Sequence, residues 1–267
     1  MLSYEELSQL DHIVKFNNMV TEEFRVELLS CLKVRCPLLY IRTNEEKRLL
    51  DFFGCLSSAF GYKVYTWDCF VGLVDLVSNK PPENFPGINE MPCDALGILN
   101  ILYDKVKDLR KQTKDTIVGE IYILQDFYYY LNPFNYKPEI ERGLKQISMV
   151  RSPSTVVVTG PIVQLTPSLR REFSVLDFPY PSNSEVEEVL DNLMDSVIRQ
   201  MKDLEAESEC VDVEDGLRKE LEEKKVDLIY AAHGLTLRDV KMAMSKSIVK
   251  NKTLDIQYLL DKKRKQG

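Results

Sequence analysis

At 267 residues, with 44% hydrophobic and 29% charged side chains, the chain can bury a real core as one large domain or two modest ones. A net charge of −7 argues against a global nucleic-acid footprint. No apolar run approaches the roughly 20 residues that span a bilayer, and Met-Leu-Ser-Tyr-Glu-Glu at the start has neither the basic nor the apolar region of a secretory signal.

The six cysteines (31, 36, 55, 69, 93 and 210) are scattered, with no C-x-x-C pair, and His12 and His233 are the two histidines. That pattern gives no zinc site and suits reduced thiols in a cytoplasmic-type compartment. Eleven glycines is a low count for a chain with a glycine-rich cofactor loop.

In chain order, Phe24, Leu28, Leu29 and Leu32 recur at helical spacing and predict an amphipathic helix over 22–34. Leu38–Ile41 is a continuous apolar run, as in a strand covered on both faces. Thr43 and Glu46 fit a Thr-x-x-Glu capping box that starts a helix without glycine, and Gly61 suits its end. Tyr62–Trp67 reads as a second strand. Residues 78–92 hold four prolines and predict an exposed loop. A helix is predicted from about Asp94 to Lys111, then a third strand, Ile117–Gln125, ending at Asp126. Tyr128–Pro138 reads as an aromatic loop and Glu139–Met149 as a helix. Ser154–Thr159 is a fourth strand, a short helix follows around Pro167–Glu172, and Phe173–Phe178 is a fifth strand. Strands alternating with helical crossovers predict a mostly parallel sheet with helices on both faces.

After Pro181 the pattern is helical only, opening on a second apparent capping box, Ser184 with Glu187. Residues 203–223 carry ten acidic residues against two basic ones, which reads as the solvated face of a helical hairpin with a linker. The lysines of the closing LDKKRKQG suit a helix C-terminus.

Three stretches carry a family resemblance. EIYILQDF (120–127) is an apolar strand ending in an acid, as in a Walker B strand. STVVVTGPIVQLTPSLRREFSVLDFPYPSNSEVEEVL (154–190) resembles the run from the sensor-1 strand through the arginine-finger helix to the lid. AAHGLTLRDVKMAM (231–244) resembles the lid helix that carries sensor 2. These three resemble an AAA+ module; CPLLYIRTNEEKRLL (36–50), YILQDF, VVVTGPIVQLTPSL and FPYPSNSEVEEVL more narrowly resemble the N-terminal half of an AAA ATPase family of cyanobacteria, plastids and some phages. In that family a degenerate AAA-like domain precedes a complete, Walker-bearing one. The resemblance covers about residues 25–265. It implies a five-stranded parallel sheet of order 5-1-4-3-2 in residues 1–181, with a helical lead-in, and a helical lid in 182–267. It also implies that the chain is a stand-alone version or a fragment of a longer ATPase, in the cytoplasm or an equivalent reducing compartment such as the plastid stroma.

A Walker A loop, G-x-x-x-x-G-K-[ST], curls its backbone so that amides face phosphate oxygens. No such string occurs in this sequence. At the matching turn Lys47 stands nearest to the lysine, while Glu45 and Glu46 occupy the first helical turn. Those carboxylates suit a helix N-terminus, and Glu46 is placed to accept the Thr43 amide. They would also repel a triphosphate, since like charges about 4 Å apart cost roughly 4 kcal/mol at an effective dielectric of 20. The turn therefore reads as a helix cap rather than a phosphate cradle.

The resemblance places Asp126 at the Walker B acid, followed by Phe127 where a water-polarising glutamate would stand; a structural strand-end role is expected. It places Thr159 at sensor 1, expected to satisfy a strand-end hydrogen bond, and Arg170 and Arg171 in the arginine-finger region, expected to form ion pairs. Phe127, Tyr128, Tyr129 and Tyr130 lie beyond a strand's C-terminal end, where α/β proteins bind ligands. They either pack under the Pro133 loop or anchor a partner. His233 reads as a helix-end histidine.

The functional expectation is a non-catalytic AAA-like module without cofactor or metal. It would bind a protein partner or position a catalytic AAA+ domain or subunit, in an oligomer where the assembly requires one. Membrane and nucleic acid are not expected partners. One alternative is a true ATPase, using ATP and Mg through an atypical site or as part of a longer chain. Another is a metal-dependent nuclease or phosphotransferase using Asp68 and Asp126, which lacks a further strand-end carboxylate.

Overall fold

The computed structural model describes residues 4–82, 85, 93–111, 119–204 and 207–265. The chain forms two compact units, residues 1–178 and 179–267.

The first unit is an α/β sheet structure. Helices α1 (Tyr4–Asn18) and α2 (Glu22–Lys33) lead into β1 (Leu38–Arg42). Then come α3 (Glu46–Phe60), β2 (Lys63–Asp68), β3 (Gly72–Asp75), α4 (Ala95–Lys111), β4 (Glu120–Leu124), α5 (Pro138–Ser148), β5 (Ser154–Gly160) and β6 (Ser174–Asp177). Thr21 caps α2 by accepting the Phe24 amide, and Gly61, in the left-handed region at φ 75, ends α3.

The sheet order is β3-β2-β4-β5-β1-β6. The parallel strands β6, β1, β5, β4 and β2 stand in the predicted order. The sixth strand, β3, is an addition at the edge, antiparallel to β2. The Asp68 carboxylate makes the hairpin by accepting the Phe70 and Val71 amides, each at 2.7 Å.

Alternate residues of each central strand feed two cores. Tyr40, Trp67, Tyr122, Leu124 and Val158 pack with α4 and α5. Leu39, Ile41, Ile121, Ile123 and Val157 pack with α1, α2 and α3. Burial on both faces explains why the strands read as unbroken apolar runs. The proline-rich 78–92 segment departs from its predicted exposure at one described point. Phe85 is buried, with its ring 5.1 Å from Tyr65 and 6.0 Å from Tyr122. Residues 83–84 and 86–92 lie outside the described residues, as do 117–118 at the predicted start of the third strand.

The second unit is helical: α6 (Asn183–Leu204), α7 (Glu207–Ala232), α8 (Leu237–Asn251) and α9 (Gln257–Arg264). Its capping box sits two residues earlier than predicted. The Ser182 hydroxyl accepts the Glu185 amide at 3.3 Å, and the Glu185 carboxylate accepts the Ser182 amide at 2.8 Å. Pro181 allows the helix to begin immediately after Ser182, and Glu187 instead pairs with Lys225 of α7 at 2.8 Å. Val186, Leu190, Met194, Leu228, Val240 and Met244 form this unit's core. Much of the predicted acidic face falls on residues 205–206, and on side chains up to 215, that lie outside the described set.

Candidate functional site

Where β1 ends, the chain does not form the predicted Thr43–Glu46 box. The Thr43 amide donates to the Gly160 carbonyl at 3.0 Å, extending the β1–β5 ladder, so Glu46 has no claim on it. The Thr43 hydroxyl accepts the Glu45 amide at 2.9 Å, closing a two-residue turn, and α3 begins at Glu46.

The two glutamates of the turn have separate tasks. Glu45 pairs with Arg48 at 3.1 Å, with both side chains nearly buried. Arg48 also donates to the Met19 carbonyl at 2.6 Å and covers the Phe178 ring at 4.7 Å. The Glu46 carboxylate accepts the Thr159 hydroxyl at 3.1 Å and the Asp126 backbone amide. Burial, then the Asp126 carboxylate, hold its carboxyl above the usual range; the two hydrogen bonds oppose this, and Asp68 adds a further push upward.

Asp126 follows β4 with its backbone in the left-handed region at φ 54, a conformation aspartate tolerates better than most residues. Its side chain is exposed. The turn after it, Phe127–Tyr130, sorts the aromatic cluster by direction. Phe127 is fully buried, 5.7 Å from the Trp67 ring. Tyr128 is buried over Gly160, where a Cβ would stand 2.5 Å from the tyrosine ring. Tyr129 stacks on Tyr128 at 4.2 Å and remains 60% exposed. Tyr130 is half-buried beneath the Lys137 ammonium, 5.5 Å from its ring centre.

The structure thus gathers Glu46, Thr159 and the Asp126 backbone at the C-terminal edge of the sheet, with Thr43 adjoining through Gly160. Lys47, Arg170 and Arg171 are exposed. Among the described residues, neither arginine makes the ion pair expected of it. No cluster of three or more metal-ligating side chains occurs among the described residues either. His233 meets its expectation as a helix-end residue, with Nε2 2.7 Å from Asn183 Oδ1. The residue that sequence reasoning undervalued is Glu46. The signal was an acid one turn beyond a strand, opposite two other strand ends.

Among the described residues, no helix is long and apolar enough to cross a membrane.

The AAA domain-containing protein ycf46 of Trieres chinensis is 27% identical over 249 residues, covering 91% of this chain and 42% of that protein. The ycf46 protein of Guillardia theta is 26% identical over 249 residues, with 92% and 42% covered. The chain therefore spans less than half the length of these curated relatives. A chain of the E. coli MS115-1 HORMA:CdnC:Trip13 complex shares the fold, with TM-score 0.51 and 12% identity over 98% of this chain and 92% of that one. Residues 24–178 match the model of the SpoVK-like AAA ATPase N-terminal domain, and the chain belongs to that family.

Proposed function

We propose that this chain is a non-catalytic AAA-like domain that works by binding protein, either docking a partner or positioning a catalytic AAA+ domain, and that it does not hydrolyse ATP. The carrying observation is the Glu46 carboxylate, hydrogen-bonded to the Thr159 hydroxyl and the Asp126 amide. On this reading the Glu46 carboxylate takes up the space that a nucleotide's phosphates would need. The absence of a G-x-x-x-x-G-K-[ST] string supports the same reading.

The binding surface in this proposal is the C-terminal edge of the sheet, where Tyr129, Phe70 and Ile162 expose apolar surface from three successive loops. Calorimetry with Mg-ATP and a turnover assay test the first half: neither heat nor hydrolysis is expected. Turnover above background that vanishes in Asp126→Asn overturns it. A pull-down with the chain as bait, repeated with Tyr129→Ala, tests the second half. A partner retained at full strength by the variant removes Tyr129 from the surface.

A further inference from the structure

Helix α2 ends in a Schellman turn. The Cys36 amide donates to the Cys31 carbonyl at 2.9 Å, and the Arg35 amide to the Leu32 carbonyl at 3.1 Å. Arg35 supplies the left-handed residue at φ 58. This motif brings the side chain near the helix end against the one two residues past the cap, and the contact is commonly hydrophobic. Here both positions are cysteines. Their thiols are hydrogen-bonded to one another. Cys36 Sγ also lies 3.3 Å from Ser174 Oγ on β6 and 3.5 Å from the Leu38 carbonyl oxygen. Both cysteines are half-buried, and Lys33, Val34 and Arg35 between them are exposed, so a small solute can reach the turn.

We propose that Cys31 and Cys36 form a dithiol modification site that closes to a disulfide on reaction with hydrogen peroxide. The Schellman hydrogen bonds hold the two backbones close, as a disulfide requires. Burial, then the Cys36 sulfur and the Glu27 carboxylate, push the Cys31 thiol up, and Cys36, beside the exposed Arg35, is the attacking sulfur. The Cys36 thiolate attacks one peroxide oxygen and the O–O bond breaks. Cys36 becomes a sulfenic acid, and the departing hydroxide takes up the thiol proton as water. Cys31 sulfur then attacks Cys36 sulfur. The S–S bond forms, the S–O bond breaks, and the hydroxyl leaves as water with the Cys31 proton. Two thiols lose two electrons and one peroxide gains them. The product staples the last turn of α2 to the entry of β1.

Trypsin makes the test direct, because it cuts after Arg25, Lys33, Arg35 and Arg42 and puts the two cysteines on separate peptides, 26–33 and 36–42. The full chain is treated with equimolar hydrogen peroxide, alkylated, digested without reductant and mapped by mass spectrometry. The expected result is that 26–33 and 36–42 travel as one species that dithiothreitol separates. In Cys31→Ser, the Cys36 sulfenic acid is expected to persist and to be captured by dimedone several-fold more than in the parent. The proposal is overturned if 26–33 and 36–42 stay unlinked while Cys69 or Cys93 carries the oxidation. Cys36 passing to sulfinic acid with Cys31 still a free thiol overturns it equally.

Discussion

The Thr159 hydroxyl donates to the Glu46 carboxylate at 3.1 Å, joining the last turn of one central strand to the first turn of the helix that follows its neighbour. The same carboxylate takes the Asp126 amide, so three strand-end segments share one carboxyl group. Its environment sets a sign. A carboxyl raised above its unfolded value disfavours its own ionised form in the fold. The fold is therefore penalised once pH exceeds the folded value, and the penalty disappears as pH falls below the unfolded one. Glu46→Gln keeps an acceptor for Thr159 and removes the charge facing Asp126 and Asp68. The variant should melt higher than the parent at neutral pH, and the gap should close as pH drops toward about 4. Thermal melts of both proteins across that range decide it. A variant that melts lower at neutral pH would show that the charge stabilises the cluster.

Thr43→Ala removes the hydroxyl that accepts the Glu45 amide at 2.9 Å and leaves that amide without its partner. The expected cost is about 1 kcal/mol in urea unfolding, with most of it restored by Thr43→Ser. An unchanged midpoint in the alanine variant would mean that the turn does not depend on this bond.

Gly160→Ala places a Cβ 2.5 Å from Tyr128 Cδ1, 2.7 Å from its Cγ and 2.8 Å from Tyr40 Oη. The Tyr40 hydroxyl is itself held to the Ile162 carbonyl at 2.6 Å and cannot easily yield. The variant should lose about 1–3 kcal/mol, as over-packed sites do. Adding Tyr128→Ala should cost less in the Gly160→Ala background than in the parent, and the double-mutant cycle reads that coupling.

The aromatic turn separates core from surface within consecutive residues. Phe127→Ala should cost about 3–5 kcal/mol, the range for emptying a buried ring site. Tyr129→Ala should change stability by no more than about 1 kcal/mol, the worth of its stacking on Tyr128. Equal losses in the two variants would contradict the burial difference between them.

The parallel strands were readable because residues buried on both faces leave long apolar runs, as in Leu38–Ile41 and Val156–Val158. β3 was not. Gly-Leu-Val-Asp is too short to show alternation, and its pairing depends on a turn made by the Asp68 side chain. The two misplaced caps have different causes. Ser/Thr-x-x-Glu is a pattern of side chains, whereas a cap also needs a free backbone amide. At Thr43 that amide belongs to the sheet, and near Ser184 a nearer serine follows the proline. Phe85 was hidden by the prolines around it, which report on the backbone and not on one ring's destination. The direction of each ring in Phe127–Tyr130 was likewise unreadable, since it follows from a left-handed Asp126 that no composition signal marks.

Arg48 ties this turn to two segments distant in the chain. One side chain in the first turn of α3 holds Glu45, the Met19 carbonyl and the face of Phe178. Rebuilding a glycine-rich phosphate loop over these positions would unseat that anchor and strand a nearly buried charge. It would also displace Glu46 from Thr159. Losing Arg48 alone would weaken the fold with no phosphate contact to compensate. A single substitution at Arg48 would therefore loosen the connection between α1 and α2, the start of α3 and the segment after β6 together.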